Sequence, residues 1–550
     1  MASLSAHARS KNIQTLKDQT FDLLVIGGGI TGAGVARDAA SRGMKVALVE
    51  TRDFAWATSS RSSKLVHGGI RYLEQYEFGL VFEALSERQR LFEIAPHLVH
   101  PLKFAIPLYK SGRVRPWLMK LGMMLYDFLS LYDAPELHAS YSAKELLQDY
   151  PLLQSEELLG GFTYYDAYMD DDRLVHETLR SAARFGAVAV NFVRAENSLW
   201  KDGRIHAVEV QDLKSQAGRW PLRARHVVSC VGPWTDALGS SLLPQWKPMM
   251  RPSKGVHLTF ERGRLDLKEA VVMAAEKRIV FAIPRHEMTI IGTTDTDFTE
   301  DPSQVTTRPE DVDYLLRVAQ KYFPGANLTK SDIVASYAGV RPLVHDQAQT
   351  ESGTSREHVI LQDERGITFV AGGKYTTYRH MAEQAVKKVL SAWSFEDQMK
   401  YARGRTLEPL NPKCSPELCL RARREAEYWI KEGRGPLKLF GLSRLAERHG
   451  MEFPDIVKRY QQELTESAGE EQKLMELELL HAVNETMCLT LEDFYFRRVP
   501  LFLAKKDHGL PLLESLSRMM ARQLGWSEEE RAGQVNALQK QIRHELSWRD

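Results

Sequence analysis

FDLLVIGGGITGAGVARDAASRGMKVALVE, Phe21 to Glu50, is the stretch whose reading decides the fold. The apolar run Phe21 to Ile26 predicts a buried strand, a glycine turn follows directly, and the small and apolar residues up to Gly43 predict a helix. KVALVE, Lys45 to Glu50, predicts a second strand closed by an acid. In the spacing Gly27-x-Gly29-x-x-Gly32 the first glycine permits the tight turn, the second lets backbone approach a pyrophosphate, and the third lets helix and strand pack closely. N–H groups at the helix start then face the phosphate charge. Glu50, eighteen residues after Gly32, stands where a carboxylate accepts both hydroxyls of an adenosine ribose and repels a 2′-phosphate. The unit predicts the adenosine diphosphate half of NAD or FAD, held by Gly27, Gly28, Gly29, Gly32 and Glu50.

Of three later segments, the first, as Ser-rich as a solvent loop, leaves these cofactors even and the other two separate them. ATSSRSSKLVHGGIRYLE, Ala57 to Glu74, carries the hydroxyls of Thr58, Ser59, Ser60 and Ser63, with Lys64, His67 and Gly68, and suits a loop that wraps an extended cofactor. ARHVVSCVGPWTDALG, Ala224 to Gly239, predicts a strand, a turn at Gly232-Pro233-Trp234 and a helix. GITFVAGGKYTTYRHMAEQAVKKVL, Gly366 to Leu390, repeats that order around Gly372 and Gly373. Strand, turn and helix units so far apart in the chain can converge on one long cofactor when a substrate domain interrupts the nucleotide domain. That organisation points to FAD.

Composition narrows the partners. The 550 residues exceed what one core usually serves, so two or three domains are expected. Lys and Arg number 73 against 72 acids, a net of +1, and no overall field exists to attract nucleic acid. Cys414 and Cys419 are the only close pair of the four cysteines, and their spacing suits neither zinc nor a redox motif, so no metal and a reducing cytoplasm are expected. The N-terminus lacks an apolar signal core, and nowhere do 18 apolar residues run without charge. RVRPWLMKLGMMLYDFLSLY, Arg113 to Tyr132, mixes Arg113, Arg115 and Lys120 with Trp117, Met123, Met124, Phe128 and Leu129, which suits either a helix lying at a lipid interface or one packing that face inward.

The motifs VIGGGITGAGVARDAASRG, TSSRSSKLVHGGIRYLEQYEFGLV, IGTTDTDF (Ile291 to Phe298), YAGVRPL (Tyr337 to Leu343) and GGKYTTYR (Gly372 to Arg379) resemble the FAD-dependent, quinone-linked, aerobic glycerol-3-phosphate dehydrogenase family from about Phe21 to Trp393. The resemblance implies FAD-linked oxidation of sn-glycerol 3-phosphate to dihydroxyacetone phosphate, with electrons passed to a membrane quinone. It implies His257 and Arg341 as catalytic residues and Arg71, Tyr72, Lys374 and Thr376 as substrate contacts. The chemistry agrees: arginine clamps phosphate with a planar fork, and a histidine with an ordinary pKa of about 6.5 suits a base at the C2 hydroxyl. An oxidase using oxygen shares these motifs, and an FAD-dependent amine or amino-acid oxidase shares the architecture.

The expected fold class is α/β plus α+β, a Rossmann-like FAD-binding domain interrupted by a mixed-sheet substrate domain and followed by a C-terminal helical domain. The boundaries expected are 21–80, 161–240 and 346–393 for the FAD-binding segments, 81–160 for a substrate or cap insertion, 241–345 for the substrate domain and 394–550 for the helices. The last assignment rests on apolar residues at three- and four-residue steps, as in SPELCLRARREAEYWIKEG. A homodimer in the cytoplasm, in peripheral contact with the inner face of the cell membrane, completes the expectation.

Overall fold

Thr20–Ile26 forms a strand whose last four residues are buried, and it lies between Val46–Val49 and Trp220–Ser229, parallel to both. A computed structural model describes residues 3–112, 114–215, 218–275, 278–345 and 358–549, without the side chains at positions 71, 74 and 75. Val188–Val190 and Ile367–Gly372 extend the parallel set on either side, and His358–Asp363 closes one edge antiparallel. Residues 23–26 and 46–49 at its centre are continuous runs of Val, Ile, Leu and Ala, because a parallel sheet covered on both faces has no wet side to pattern there. Helix Ile30–Ser41 packs between Asp171–Arg184 and Tyr378–Ser391, so all three pieces of the nucleotide sheet share one helical layer. Gly32 makes this approach possible: a Cβ there would sit 1.9 Å from the carbonyl oxygen of Gly27.

The second sheet is mixed. Its strands run Thr296–Asp297, Ser253–Glu261, Met288–Gly292, Arg278–Arg285, Ala270–Ala275, Val99–Tyr109, Leu158–Met169 and Leu65–Val66, with Ile333–Arg341 also paired to Ser253–Glu261. Ala270–Ala275 and Val99–Tyr109 pair in parallel; the other pairings described in this sheet are antiparallel. Leu158–Met169 crosses the boundary expected at residue 160 without leaving this sheet, because its pairing with Val99–Tyr109 runs from Leu158 to Met169. Leu65–Val66 brings the serine-rich loop into the same sheet, so that loop bridges the two layers.

Beyond residue 394 the described chain is helical, from Phe395–Lys400 to Glu528–Glu545. Its apolar faces, among them Leu477, Leu480, Phe494 and Leu516, are buried in a core shared with the second sheet. Charge ties this part to the nucleotide domain. Arg498 donates to both carboxylate oxygens of Asp53 at 2.8 and 2.9 Å, and Arg497 adds a third bond at 2.7 Å. Burial pushes the Asp53 carboxyl upward, but the charges of Arg498 and Arg497 outweigh it and hold the group below its ordinary value. Arg180 likewise grips Glu452 through two bonds of 2.6 and 3.1 Å.

Removing one side of such a pair leaves a buried charge unmet. Arg498→Met is expected to lower stability by about 3–5 kcal/mol, read as a fall in the thermal unfolding midpoint. A midpoint within a degree of wild type would show that Arg497 alone satisfies Asp53.

Candidate active site

A cleft of about 950 Å³ opens between the two sheets, at the upper end of the roughly 300–1,000 Å³ typical of small-molecule sites. Gly27, Gly29 and Glu50 line it together with Thr58, Ser59, Ser63 and His67 from the serine-rich loop. Gly232, Trp234, Gly372 and Gly373 reach the same space from the two later turns. Tyr72, Lys374, Thr376, His257 and Arg341 complete it. Residues separated by more than 300 positions in sequence thus meet around one cavity.

The nucleotide turn is built largely from backbone. Glu50 Oε2 accepts the Gly28 N–H at 2.7 Å and Oε1 accepts that of Arg52 at 2.8 Å, which fixes the carboxylate and leaves each oxygen a lone pair for a ribose hydroxyl. Burial pushes its pKa upward, against these backbone donors. Ser59 Oγ accepts the Ile30 N–H at 3.0 Å, so one donor at the helix start is already used by the protein. A Cβ on Gly29 would meet only that hydroxyl, at 3.1 Å, and the rest of its surroundings are open for a phosphate to approach.

Several residues expected at the cofactor stand behind the cleft wall. Lys64 is buried against Asp171, Gly68 donates to Tyr126 Oη at 3.1 Å, and Gly28 packs against Phe54 and Glu50. Ser60 and Gly32 are likewise buried and are not among the cleft-lining residues. Two hydroxyls of the loop that lines the cleft also engage the protein: Thr58 Oγ1 donates to the Val340 carbonyl at 2.6 Å, and Ser63 pairs with His257. The Arg71 side chain lies outside the described residues.

Strand register sets the catalytic wall. Ser253–Glu261 and Ile333–Arg341 pair so that Ser253 faces Arg341, Gly255 faces Gly339, and His257 faces Tyr337. Alternation puts all six on one face. A Cβ on Gly255 would lie 2.4 Å from Arg341 Nη2, so this glycine leaves the space that the guanidinium occupies, while a Cβ on Gly339 would lie 2.7 Å from Arg61 Cβ. Arg341 is then held by Asp295 Oδ1 at 3.0 Å, Thr293 Oγ1 at 2.9 Å, the Thr294 carbonyl at 3.0 Å and Ser253 Oγ at 3.3 Å. Lys374 Nζ lies 3.6 Å from the ring centre of Tyr72, and Thr376 Oγ1 accepts the His67 N–H at 3.3 Å. Lys254 pairs with Asp311 at 2.6 Å, buried on another face.

His257 is buried, stacked on Tyr337 with ring centres 4.7 Å apart and planes 11° apart. Burial first, then the charges of Arg341 and Lys64, push its pKa well below the ordinary histidine value. The sequence expectation of titration near 6.5 is corrected on this point: the imidazole is neutral well below neutral pH. Arg61 was missed by sequence reasoning. It lines the cleft while both guanidinium arms bind Glu545 of the last long helix, at 2.9 and 2.5 Å. Nothing near Arg61 in the sequence signals a partner 484 positions away.

A Rossmann-type sheet, a glycine turn, an acid at the next strand end and a long cleft between two sheets define an FAD-dependent oxidoreductase, and the residues present fit that cofactor. Residues 22–379 match the family model described as FAD dependent oxidoreductase, and residues 433–531 match that of the C-terminal domain of alpha-glycerophosphate oxidase. The chain belongs to the aerobic glycerol-3-phosphate dehydrogenase family: it is 34% identical over 548 residues to that enzyme of Bacillus subtilis, covering 98% of this chain and 97% of the relative. The Staphylococcus saprophyticus relative is 33% identical over 541 residues, with coverage of 98% and 97%. The structure of glycerol-3-phosphate dehydrogenase from Bacillus halodurans complexed with FAD superposes with a TM-score of 0.77 at 30% identity, over 98% of each chain. L-alpha-glycerophosphate oxidase from Mycoplasma pneumoniae shares the fold, with a TM-score of 0.53 at 17% identity over 68% of this chain and 96% of that one.

The depressed pKa has a direct readout. In a ¹⁵N-histidine NMR titration His257 is expected to stay neutral as pH falls through 6.5, where an unperturbed histidine is about half protonated. Arg341→Ala should move its midpoint upward by removing a nearby positive charge. Half protonation near 6.5 in the wild type would contradict the buried, cationic environment.

Proposed function

We propose that the chain oxidises sn-glycerol 3-phosphate to dihydroxyacetone phosphate and that its electrons pass to a membrane quinone. The observation that carries this reading is the meeting of Arg341, Lys374 and His257 in the cleft that also holds the nucleotide turn. Two cations suit a phosphate dianion, and a neutral imidazole suits the hydroxyl that must lose a proton. The relatives' names agree over nearly the whole chain. The division of labour follows the sheets, with the nucleotide sheet holding cofactor and the mixed sheet holding substrate.

Arg341 is oriented before substrate arrives, because four partners hold its two terminal nitrogens. Asp295 offsets part of its charge, and because both terminal nitrogens already donate to the protein, Arg341 meets the phosphate as a fixed neighbouring positive charge. Lys374, packed over Tyr72, adds a second positive charge. The clamp positions C2 near His257, which takes the alcohol proton into a wall closed to bulk water. FAD, when bound, supplies the acceptor for the two electrons of the C2–H bond.

Anaerobic addition of glycerol 3-phosphate should bleach the flavin absorbance, and glycerol at the same concentration should not. Arg341→Ala is expected to keep its FAD and lose about 2–5 kcal/mol of substrate binding, as truncated buried charge contacts do. Equal bleaching by glycerol would remove the phosphate from the reading. Oxygen as acceptor is the second reading, favoured by the match of residues 433–531 to an oxidase domain. Stoichiometric peroxide during aerobic turnover, with no quinone reduction, would select it.

The quinone calls for a surface at the bilayer, and we place it on helix Pro116–Leu129. No helix among the described residues is long and apolar enough to cross a membrane. On this helix, however, Trp117, Leu121, Met124 and Phe128 are 60, 54, 52 and 58% exposed, while Met123 and Tyr126 on its other side are buried. Large apolar side chains on one stripe, flanked by exposed Arg115 and Lys120, suit reversible binding to anionic lipid. Arg113, expected to contribute, lies outside the described residues. Trp117→Glu combined with Phe128→Glu should abolish sedimentation with anionic vesicles and leave anaerobic flavin bleaching intact; unchanged sedimentation would move the docking surface elsewhere.

A further inference from the structure

His257 is closed in on almost every side. Tyr337 covers one face of the ring, and the Gly292 backbone abuts its edge so closely that a Cβ there would lie 2.1 Å from Cδ2. Nδ1 is shut off from solvent and has no hydrogen-bond partner among the described residues. Nε2 is met by Ser63 Oγ at 2.8 Å, a full hydrogen bond, and both residues line the cleft. A substrate hydroxyl that meets the Ser63 hydroxyl in the cleft is one hydrogen bond away from Nε2 of His257. A serine hydroxyl donates one hydrogen bond and accepts others at the same time, which is what passing a proton along requires.

Ser63 is also held where such a role needs it. The preceding residue is fixed twice, by Ser62 Oγ donating to Asp171 at 2.7 Å and by Tyr337 Oη donating to the Ser62 carbonyl at 2.9 Å. The following residue, Lys64, is ion-paired to the same Asp171. One step earlier, Arg61 is locked to Glu545. Tyr337 thus braces both members of the pair, stacking on His257 and bonding the chain beside Ser63.

We propose that Ser63 is a catalytic residue whose hydroxyl relays the proton of the substrate's C2 alcohol to Nε2 of His257. The inference rests on the reading of the chain as a glycerol 3-phosphate oxidising flavoenzyme. The alcohol O–H bond breaks as its proton passes to Ser63 Oγ, while the Ser63 proton passes to Nε2. The C2–H bond breaks with its electron pair leaving as hydride, for which FAD, when bound, would be the two-electron oxidant. Ser63 ends neutral, His257 ends as imidazolium, and C2 ends as a carbonyl carbon. The relay requires Nε2 bare and the resting proton on Nδ1.

Two measurements on the holoenzyme test this. ¹⁵N-histidine NMR without substrate should show the Nδ1–H tautomer of His257 in the wild type, a readout independent of turnover. Anaerobic stopped-flow reduction by glycerol 3-phosphate should slow by about 10²-fold or more in Ser63→Ala, in the range of a lost acid or base, with FAD content and substrate affinity retained. Ser63→Thr, which keeps the hydroxyl, should recover most of the rate. A proton inventory in mixed light and heavy water should be curved in the wild type, with two protons in flight, and linear in Ser63→Ala. An Nε2–H tautomer in the wild type, or wild-type reduction with an unchanged inventory in Ser63→Ala, would overturn the relay. Should Ser63→Ala lose FAD, the wild-type tautomer and the Ser63→Thr inventory decide. Failure of glycerol 3-phosphate to bleach the wild type would instead overturn the functional reading, whatever the tautomer.

Discussion

The active-site wall depends on the antiparallel register between Ser253–Glu261 and Ile333–Arg341. That register puts His257 opposite Tyr337 and Ser253 opposite Arg341, with Gly255 and Gly339 between them. A slip of one residue would turn every one of these side chains to the opposite face of the sheet. The opposite face is not available to them, because Val256, Leu258 and Ala338 fill it as part of a separate apolar core. Burial of that core therefore enforces the arrangement of the polar site on the other side.

Electrostatics in the site follow from the same enclosure. Desolvation favours the neutral form of His257, and the positive charges of Arg341 and Lys64 act in the same direction. The protein keeps a neutral imidazole beside a cationic guanidinium because the two are adjacent in a closed wall. Asp295 offsets part of the Arg341 charge with a carboxylate at 3.0 Å. Positive charge and a neutral imidazole thus stand side by side in the cleft, each tuned by what surrounds it.

The C-terminal helices do more than cap the molecule. Arg497 and Arg498 meet Asp53 just beyond the strand Val46–Val49, and Glu545 holds Arg61 in the loop between the glycine turn and the wall that carries His257. Both contacts bind a loop of the nucleotide domain, which short segments such as Thr58–Ser60 could not rigidify alone. A scaffold role, the plain reading of those amphipathic repeats, is accordingly also a positioning role for the loop that carries Ser63.

Local chemistry made the nucleotide unit legible: a turn needing positive φ at Gly27, a close approach needing Gly32, and an acid at a strand end lie within 30 residues of one another and each has one evident purpose. Amphipathic period made the C-terminal helices legible for the same reason, since a helix face is encoded within a few turns. Resemblance to a family brought His257, Arg341 and Lys374 forward, but not what they touch. Tertiary structure alone decided that Lys64 is buried against Asp171, that Ser59 caps a helix, that Ser63 stands at His257, and that Glu545 reaches Arg61. A serine or lysine in a loop has the same sequence signature whether it faces ligand or protein. The choice between them is made by which distant strand or helix packs beside it, and that is a property of the assembled core.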